Sequence, residues 1–426
     1  DEDCLDTWFS SWLWPIEVFK GYSNPGNADI NYYYPTNTLV TAPEIIFFWV
    51  ARMIMAGYEY KNQKPFNEVY FTGIVRDKQG RKMSKQLGNS PDLLEMIDKD
   101  GADAVRFGIM ISSPAGNDLM WDPTGNEQGR FFINKIWNAL KLVKMWEGKQ
   151  STDHITQTTE NNFATLWFEN RLNEVKAEVA VQFKEFRLSE ALKTIYSLIW
   201  DDFCSWYLEW VKPGFEQPIE KSVYEKTTGF FEELMQLLHP FMPFITEEVY
   251  HQLKEQQSDL TISQYKPFAE TDKSVLANGT LLKEVISSVR DARNKNQLKP
   301  KDPVKLHIQS EDESVYRQIE SIIAKQVNAE AVLFTGSTVP NTITVVVQKD
   351  KFFIETTTVM DTTAQKEQLQ KDLDYLKGFL ISVEKKLSNE RFVQNAKPEV
   401  IEIERKKKAD AEAKIKVIEE SLAGLS

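Results

Sequence analysis

The chain has 426 residues, 42% hydrophobic and 27% charged, a composition that excludes disorder and a fibrous repeat and predicts several packed domains. Its most apolar segment, Ile45 to Val50, is far shorter than the roughly 20 residues that cross a bilayer, so no membrane span is expected. The formal net charge of −12 argues against non-specific binding of polyanions.

The two cysteines give no sign of an oxidising environment. Cys4 and Cys204 supply neither a disulfide framework nor the paired spacing of a zinc site. The opening Asp1-Glu2-Asp3 is not followed by the charged and apolar regions of a secretory signal. We therefore expect a cytoplasmic protein without a bound metal or cofactor.

Two patterns divide the first part of the chain. In residues 1–115, short apolar runs such as Val69 to Phe71 alternate with glycine-bearing turns such as Thr72-Gly73, which favours α/β structure. In residues 116–275, apolar residues recur at offsets of three, four and seven, which predicts an all-α bundle. Three tryptophans of this bundle are expected to pack between its helices: Trp200, Trp206 and Trp210.

Residues 276–360 mix both patterns and predict a small α/β domain. Helices are expected at Leu281 to Gln297 and Ser314 to Val327. Strands are expected at four apolar runs: Val304 to Ile308, Val332 to Phe334, Ile343 to Val347 and Phe352 to Thr356.

The last segment, residues 361–426, carries a heptad repeat. Apolar residues alternate at spacings of four and three from Leu369 to Leu387, and the same spacing resumes from Ala411 to Leu422. Two helices joined by a short turn, forming an antiparallel coiled-coil hairpin, are therefore predicted. The stretch from Lys366 to Ser426 has a net charge of +1, against −13 for the rest of the chain, so the hairpin is the least acidic part. The fold class is multi-domain α/β plus all-α.

A short basic loop is the most specific local signal. It reads Gly80-Arg81-Lys82-Met83-Ser84-Lys85 and is followed by Gly88-Asn89. Two lysines three residues apart, bracketed by glycines that permit movement, are suited to holding a triphosphate. Taken alone, a Lys-x-x-Lys stretch is more often a solvated basic turn.

The loop resembles the KMSKS loop of class I aminoacyl-tRNA synthetases, and its neighbours extend the likeness to valyl-tRNA synthetases. The similarity runs through nearly the whole chain. The stretches that carry it include Leu5 to Ser11, Ile45 to Met53, Thr72 to Asp77, Gly101 to Phe107, Asn134 to Ala139 and Asp202 to Tyr207. The resemblance implies the C-terminal half of a Rossmann-like catalytic domain, a helical anticodon-binding bundle, the small α/β domain and a tRNA-binding arm.

The resemblance also implies residue roles. Catalytic Lys82 and Lys85 would stabilise the departing pyrophosphate when ATP, supplied with Mg²⁺, reacts with valine. The ATP site would comprise Gly73, Ile74, Lys82, Met83, Ser84 and Lys85. Trp8, Ile45 and Trp49 would wall the amino-acid pocket, although such side chains beside a sheet are usually core. The partners implied are valine, ATP and the tRNA for valine, bound by a monomer.

The sequence departs from the family at several points. Gln86 stands where the motif's final Ser is common, and Glu44 where relatives often have Asp. The family's HIGH motif and editing domain do not occur in this chain. The resemblance therefore implies that this chain alone is inactive.

The hairpin could contact tRNA or serve only as a spacer or dimer element. The resemblance favours an arm on the outer corner of the tRNA, with Arg405, Lys406, Lys407 and Lys408 as candidate phosphate contacts. Two other functions stay open at this point: a non-catalytic tRNA-binding relative and an isoleucyl-tRNA synthetase fragment.

Overall fold

The structure is a computed structural model that describes residues 3–84, 86–113, 117–151, 159–214, 216–356, 362–389 and 398–424. The chain forms two compact units. The first contains Asp1–Gln150, Leu172–Ser205 and Tyr224–Glu270, and the second contains Ser151–Arg171, Trp206–Val223 and Thr271–Ser426. None of the described helices is long and apolar enough to cross a membrane.

The first unit opens with mixed α/β structure. Its elements are α1 (Thr7–Glu17), α2 (Ala28–Tyr33), β1 (Thr36–Thr41), α3 (Ala51–Lys61), β2 (Phe66–Phe71), β3 (Val75–Arg76), α4 (Leu93–Asp100), α5 (Ala102–Ile111) and β4 (Leu119–Met120). Strands β1 and β2 pair in parallel, and β3 pairs in parallel with β4. A 3-10 turn, Pro43–Ile45, and a π-helical segment, Ile46–Val50, lead into α3.

Helices dominate the next part of the chain, as the period of the apolar residues predicts. They are α6 (Thr124–Glu147), α7 (Thr159–Lys184), α8 (Leu188–Ser197), a π-helical segment (Leu198–Tyr207), α9 (Leu208–Val211), α10 (Lys221–Leu238) and α11 (Pro243–Leu253). Of the three tryptophans expected between helices, Trp210 is buried, whereas Trp200 and Trp206 are half-buried. Trp200 stacks on Tyr196 with ring centroids 5.6 Å apart.

Helices α5 and α6 approach so closely that only glycine fits at their contact. A Cβ at Gly108 would lie 2.3 Å from Oδ1 of Asn126, and one at Gly129 would lie 2.9 Å from Cα of Ala104. Real Cβ contacts essentially never fall below 3.0 Å. The missing side chains therefore let the two backbones touch.

Helix α5 also holds the start of α11 through two polar side chains. The buried carboxylate of Asp103 accepts hydrogen bonds from the backbone N–H groups of Ile245, at 2.6 Å, and Phe244, at 3.4 Å. The guanidinium of Arg106 donates to the carbonyl groups of Pro240 and Phe241. Because α11 has no side-chain cap of its own, Asp103 satisfies N–H groups that its first turn leaves free.

The second unit contains a four-stranded sheet in the order β6-β5-β8-β7. Its elements are α12 (Lys273–Lys295), β5 (Val304–Gln309), α13 (Glu313–Arg317), α14 (Glu320–Val327), β6 (Ala329–Phe334), β7 (Ile343–Val347) and β8 (Asp350–Glu355). Strand β5 is parallel to β6 and antiparallel to β8, and β7 is antiparallel to β8. The four predicted strands are present.

The prediction of one helix from Ser314 to Val327 is wrong. The structure has two helices there, with a break at Gln318 and Ile319. Ile319 leaves helical geometry, with ψ near 0°, and its side chain is fully buried. Burial of this side chain accompanies the break. The helix expected at Leu281 begins earlier, at Lys273, because the carboxylate of Asp272 caps it by accepting from the N–H groups of Ser274 and Val275.

Two long helices close the chain, α15 (Thr362–Leu387) and α16 (Pro398–Gly424). They run in opposite directions, since the ion pairs between them join Lys377 to Glu419 and Lys386 to Glu404. Leu373, Val383 and Ala411 are buried, which places the contact on the heptad positions.

Gly279 offers a test of packing in the second unit. A Cβ at Gly279 would lie 2.1 Å from the indole of Trp167, which is itself buried against Trp210. We expect Gly279→Ala to destabilise the protein by about 1–3 kcal/mol, because the ring has no free space to enter.

The matched control is Gly378→Ala, in α15, where a Cβ meets nothing within 4 Å. It should stabilise by about 1 kcal/mol. Denaturant unfolding followed by tryptophan fluorescence measures both. Equal effects of the two substitutions would contradict the packing described.

Candidate functional site

The basic loop begins with a tight turn between β3 and Lys82. The backbone N–H of Asp77 donates to the carbonyl of Arg81, at 2.9 Å, and the N–H of Gly80 donates to the carbonyl of Asp77. Gly80 has φ of +78°, a conformation that side chains disfavour, so glycine is required here by the geometry of the turn. An antiparallel bridge between Arg76 and Lys82 completes the turn.

Asp77 is the centre of the loop's hydrogen bonds, and its residue is buried. The carboxylate accepts from the side-chain amide of Asn89 and from the guanidinium and backbone N–H of Arg81, at 2.7 to 2.9 Å, and from the N–H of Gln79, at 3.0 Å. The Asn89 amide first, and then Arg81 and Gln79, hold the pKa of the Asp77 carboxyl at about 2. Asp77 therefore stays ionised in the folded protein at any physiological pH.

Asn89 connects the two ends of the loop. Its Oδ1 accepts from the N–H of Ser84, at 2.9 Å, and its Nδ2 donates to the carbonyl of Lys82, at 3.3 Å, as well as to Asp77. The backbone on either side of Met83 is thus fixed by one amide side chain. Lys85 lies outside the described residues.

The ammonium group of Lys82 faces solvent beside one carboxylate. Its Nζ is 3.1 Å from Oε2 of Glu44, and the two side chains are 62% and 52% exposed. Exposed pairs of this kind contribute little stability, since water screens both charges. Lys82 is therefore anchored through its backbone while its charge remains available to an incoming anion.

Gly73 and Ile74 lie where β3 meets β4. A Cβ at Gly73 would be 1.8 Å from the carbonyl oxygen of Asn117, so any larger residue would push the two backbones apart. The N–H of Ile74 donates to Asp118, whose carboxylate also pairs with Arg76. This pairing with Arg76 lowers the pKa of Asp118.

The structure brings Trp8 and Trp49 together. Their ring centroids are 6.5 Å apart in an edge-to-face arrangement, and the guanidinium of Arg52 lies 3.3 Å over the ring of Trp8. Asp6 caps α1 by accepting from the N–H of Trp8, which fixes this tryptophan in the first turn. Ile45 ends the 3-10 turn before the π-helical segment that carries Trp49.

Within the structure as described, this aromatic surface is open. Trp8 is 38% exposed, and Phe47 and Phe48, beside Trp49, are 77% and 49% exposed. A reading of Trp8 as a core residue is therefore wrong for this chain. A contiguous exposed apolar surface commonly binds a ligand or another part of a protein.

The four basic residues proposed for the arm differ in their surroundings. Lys408 pairs with Glu384 of the opposite helix, at 2.9 Å, and Lys407 pairs with Glu404 at 2.7 Å. Arg405 is 3.8 Å from Glu402 on its own helix and is well exposed, as is Lys406. Part of this basic cluster therefore stabilises the helix pair.

Sequence reasoning missed the polar groups that organise the loop. Asp77, Asn89, Arg76 and Asp118 stand outside the Lys-Met-Ser-Lys stretch. A usable signal was present at one of them, because Asp77 and Gly80 occupy positions where turns favour those residues.

We predict that Asp77→Asn loosens the loop. The neutral side chain loses its charge-assisted bonds to Arg81, so hydrogen exchange at the amides of Gln79 and Arg81 should rise roughly tenfold. Since the folded pKa of about 2 lies below the ordinary 3.8, the protection by Asp77 should be full above about pH 4 and disappear as the pH falls through about 2. Hydrogen exchange read by mass spectrometry measures this. The control is Asp92→Asn, since asparagine caps α4 equally well. Unchanged exchange in Asp77→Asn would show that the turn holds without the charge.

Family models match three parts of the chain. Residues 1–122 match the class I tRNA synthetases (I, L, M and V), and residues 165–308 match the anticodon-binding domain of tRNA ligases. Residues 361–426 match the valyl tRNA synthetase tRNA binding arm.

Curated relatives match the chain from end to end. It is 50% identical to the valine–tRNA ligase of Parabacteroides distasonis, with 100% of this chain and 48% of that protein covered. It is 49% identical to the valine–tRNA ligase of Phocaeicola vulgatus, with the same coverage. The identity to the enzyme of Clostridium acetobutylicum is 37%, with 100% of this chain and 49% of that protein covered. The chain spans about half the length of these relatives. The three family matches and the identities over the whole chain together show that this chain belongs to the valyl-tRNA synthetase family.

Proposed function

We propose that this chain is part of an enzyme that activates valine with ATP and transfers it to the 3′ end of the tRNA for valine. The observation that carries the proposal is that Lys82 has a fixed backbone and an exposed ammonium group. Its backbone is held by Asn89 and by the bridge to Arg76, while its ammonium group has an exposed carboxylate, Glu44, as its ion-pair partner. Such an arrangement suits a cation that must meet a phosphate group.

The chemistry requires a cation at this place. The carboxylate oxygen of valine attacks the α-phosphorus of ATP, the bond from that phosphorus to the bridging oxygen breaks, and pyrophosphate leaves with the negative charge. Lys82 would stabilise that charge, with Lys85 as the second cation of the motif. A polyphosphate can displace Glu44, because the pair is exposed and weak. The nucleotide would be ATP with Mg²⁺, and the backbone at Gly73, Ile74, Met83 and Ser84 would face it.

The aromatic surface is the proposed site of the valine side chain. An apolar pocket would be walled by Trp8, Ile45 and Trp49. Other parts of the longer enzyme would complete it. The exposure of Phe47 and Phe48 supports this proposal, because apolar side chains so exposed gain from being covered. The relatives, about twice as long as this chain, contain enough additional protein to cover them.

The finer domain plan belongs to the same proposal. Residues 1–115 would be the half of a Rossmann-like catalytic domain that carries the basic loop, 116–275 the anticodon-binding bundle, 276–360 the small α/β domain, and 361–426 a coiled-coil arm for tRNA. The enzyme would act as a monomer in the cytoplasm, in keeping with its two free cysteines. Neither a non-catalytic tRNA-binding relative nor an isoleucyl enzyme is favoured, since the curated relatives cited are valine–tRNA ligases.

In the complete enzyme, we expect Lys82→Ala to lower valine-dependent exchange of pyrophosphate into ATP by about 10²-fold or more, by analogy with removal of one preorganised donor to the transition state. The affinity for valine should change little. The matched control is Lys78→Ala, in the same turn, where Nζ lies 4.0 Å from Asp122 and activity should be nearly retained. Equal losses in valine binding and rate would mean that Lys82 supports the fold. Exchange unaffected by Lys82→Ala would overturn the proposal.

For the arm, we expect the double substitution Arg405→Gln and Lys406→Gln to weaken tRNA binding and to reduce its salt dependence. Each lost phosphate contact should lower the log–log slope by somewhat under one unit. These two residues are chosen because Lys408 also pairs across the helices. Lys377→Gln is the control, since it breaks a pair between the same helices outside the basic cluster. The measurement is the tRNA affinity of each variant across a series of salt concentrations. If the control and the double variant weaken binding equally, the arm acts through its stability and not through these charges.

A further inference from the structure

A histidine and two carboxylates converge at the end of α11. Glu247 and His251 lie one helical turn apart, and Asp259 reaches them from the chain just before the 3-10 turn Leu260–Ile262. One ligand atom from each of the three lies within 4.8 Å of the others. Nε2 of His251 is 3.2 Å from Oε1 of Glu247 and 3.1 Å from Oδ1 of Asp259.

The Glu247 carboxylate is held in place by the backbone of the following turn. Its Oε1 accepts from the N–H of Leu260, at 2.6 Å, and its Oε2 accepts from the N–H of Thr261, at 3.3 Å. Backbone donors of this kind orient a carboxylate. Its other lone pairs remain available toward the histidines.

A second histidine, His239, approaches the same carboxylate. Its Nε2 is 3.9 Å from Oε2 of Glu247, and its Nδ1 is 2.8 Å from the hydroxyl oxygen of the buried Thr246. That hydroxyl donates its proton to the carbonyl of Met242, so it accepts from His239. Nδ1 is therefore the donor in this bond, and Nε2 is the ring nitrogen that faces the carboxylate.

The separations among these side chains are close to those expected around a bound cation. Zinc bonds to nitrogen and oxygen of about 2.0–2.2 Å, arranged as a tetrahedron, place ligand atoms about 3.3–3.6 Å apart. The distances of 3.1 and 3.2 Å from Nε2 of His251 to Asp259 and Glu247 lie close to that range, and the 3.9 Å from His239 to the other oxygen of Glu247 is longer. A surface cavity of about 520 Å³, lined by His239, Glu247 and His251 among others, gives access.

We propose that Glu247, His251 and Asp259 bind a divalent transition-metal ion, with His239, which Thr246 orients, as a further donor beside them. Two imidazole nitrogens with carboxylate oxygens favour Zn²⁺ over Mg²⁺ or Ca²⁺, which prefer oxygen ligands alone. The ion would join the end of α11 to the turn that follows it. The proposal is independent of valine activation, and it opposes the sequence-based expectation of no bound metal.

The test is calorimetric titration of the purified protein with Zn²⁺ in excess Mg²⁺, which occupies sites made of oxygen alone. One Zn²⁺ should bind per chain. His251→Gln and Asp259→Asn should each weaken it by at least about tenfold, and Thr246→Val, which removes the hydroxyl that orients His239, by about tenfold. Thr246→Ser retains the hydroxyl and should retain the affinity. The matched control is His307→Gln, which removes a histidine that lies 2.8 Å from Glu355 and belongs to no group of three metal-ligating side chains among the described residues.

The alternative is a protonated His251 that bridges the two carboxylates without any metal. It predicts no saturable Zn²⁺ binding, and that result would overturn the proposal. So would equal affinity in the wild type and in His251→Gln, or equal losses in Thr246→Val and Thr246→Ser. Nitrogen NMR gives an independent readout, because Zn²⁺ should shift Nε2 of His251 and of His239 and leave His307 unchanged.

Discussion

The contact between α5 and α6 is the constraint on which the first unit depends. Glycines at 108, 125 and 129 bring the two backbones into direct contact, and a side chain at Gly108 or Gly129 would overlap the opposite helix. Close backbone contact of this kind fixes the spacing of the two helices. The contact between α5 and α6 therefore sets the positions of the elements that are joined to them.

The basic loop inherits its position from that pair. Strand β4 lies between α5 and α6 in sequence, and β3 pairs with it in parallel. The loop then starts directly from β3, with Asp77 and Asn89 closing it. Two short strands therefore connect the loop to the helix pair. They hold the backbone of Lys82 at a defined place, although its side chain is exposed and pairs with the exposed Glu44.

The sequence predicts features that depend on the spacing of neighbouring residues. It does not predict contacts between residues that are far apart in the chain. The four strands of the second unit and the two terminal helices follow from alternation and heptads, which are properties of neighbouring residues. The pairing of Lys82 with Glu44 joins residues 38 positions apart, and no spacing rule specifies it. The same holds for Asp259 beside α11. The break at Ile319 was not predicted either, because burial of that side chain depends on tertiary packing and not on helical propensity.

The cap that Asp103 supplies to α11 bears on how the protein folds. Its bond to Ile245 spans 142 positions, so the first turn of α11 is completed only after a very long loop has closed. Contacts between distant residues form late, because closing the loop costs chain entropy before the contact contributes any favourable free energy. During synthesis α5 would leave the ribosome long before α11. In that interval the Asp103 carboxylate would be solvated and would not yet bind the N–H groups of α11. The first turn of α11 should accordingly be among the last parts of the first unit to become protected during synthesis.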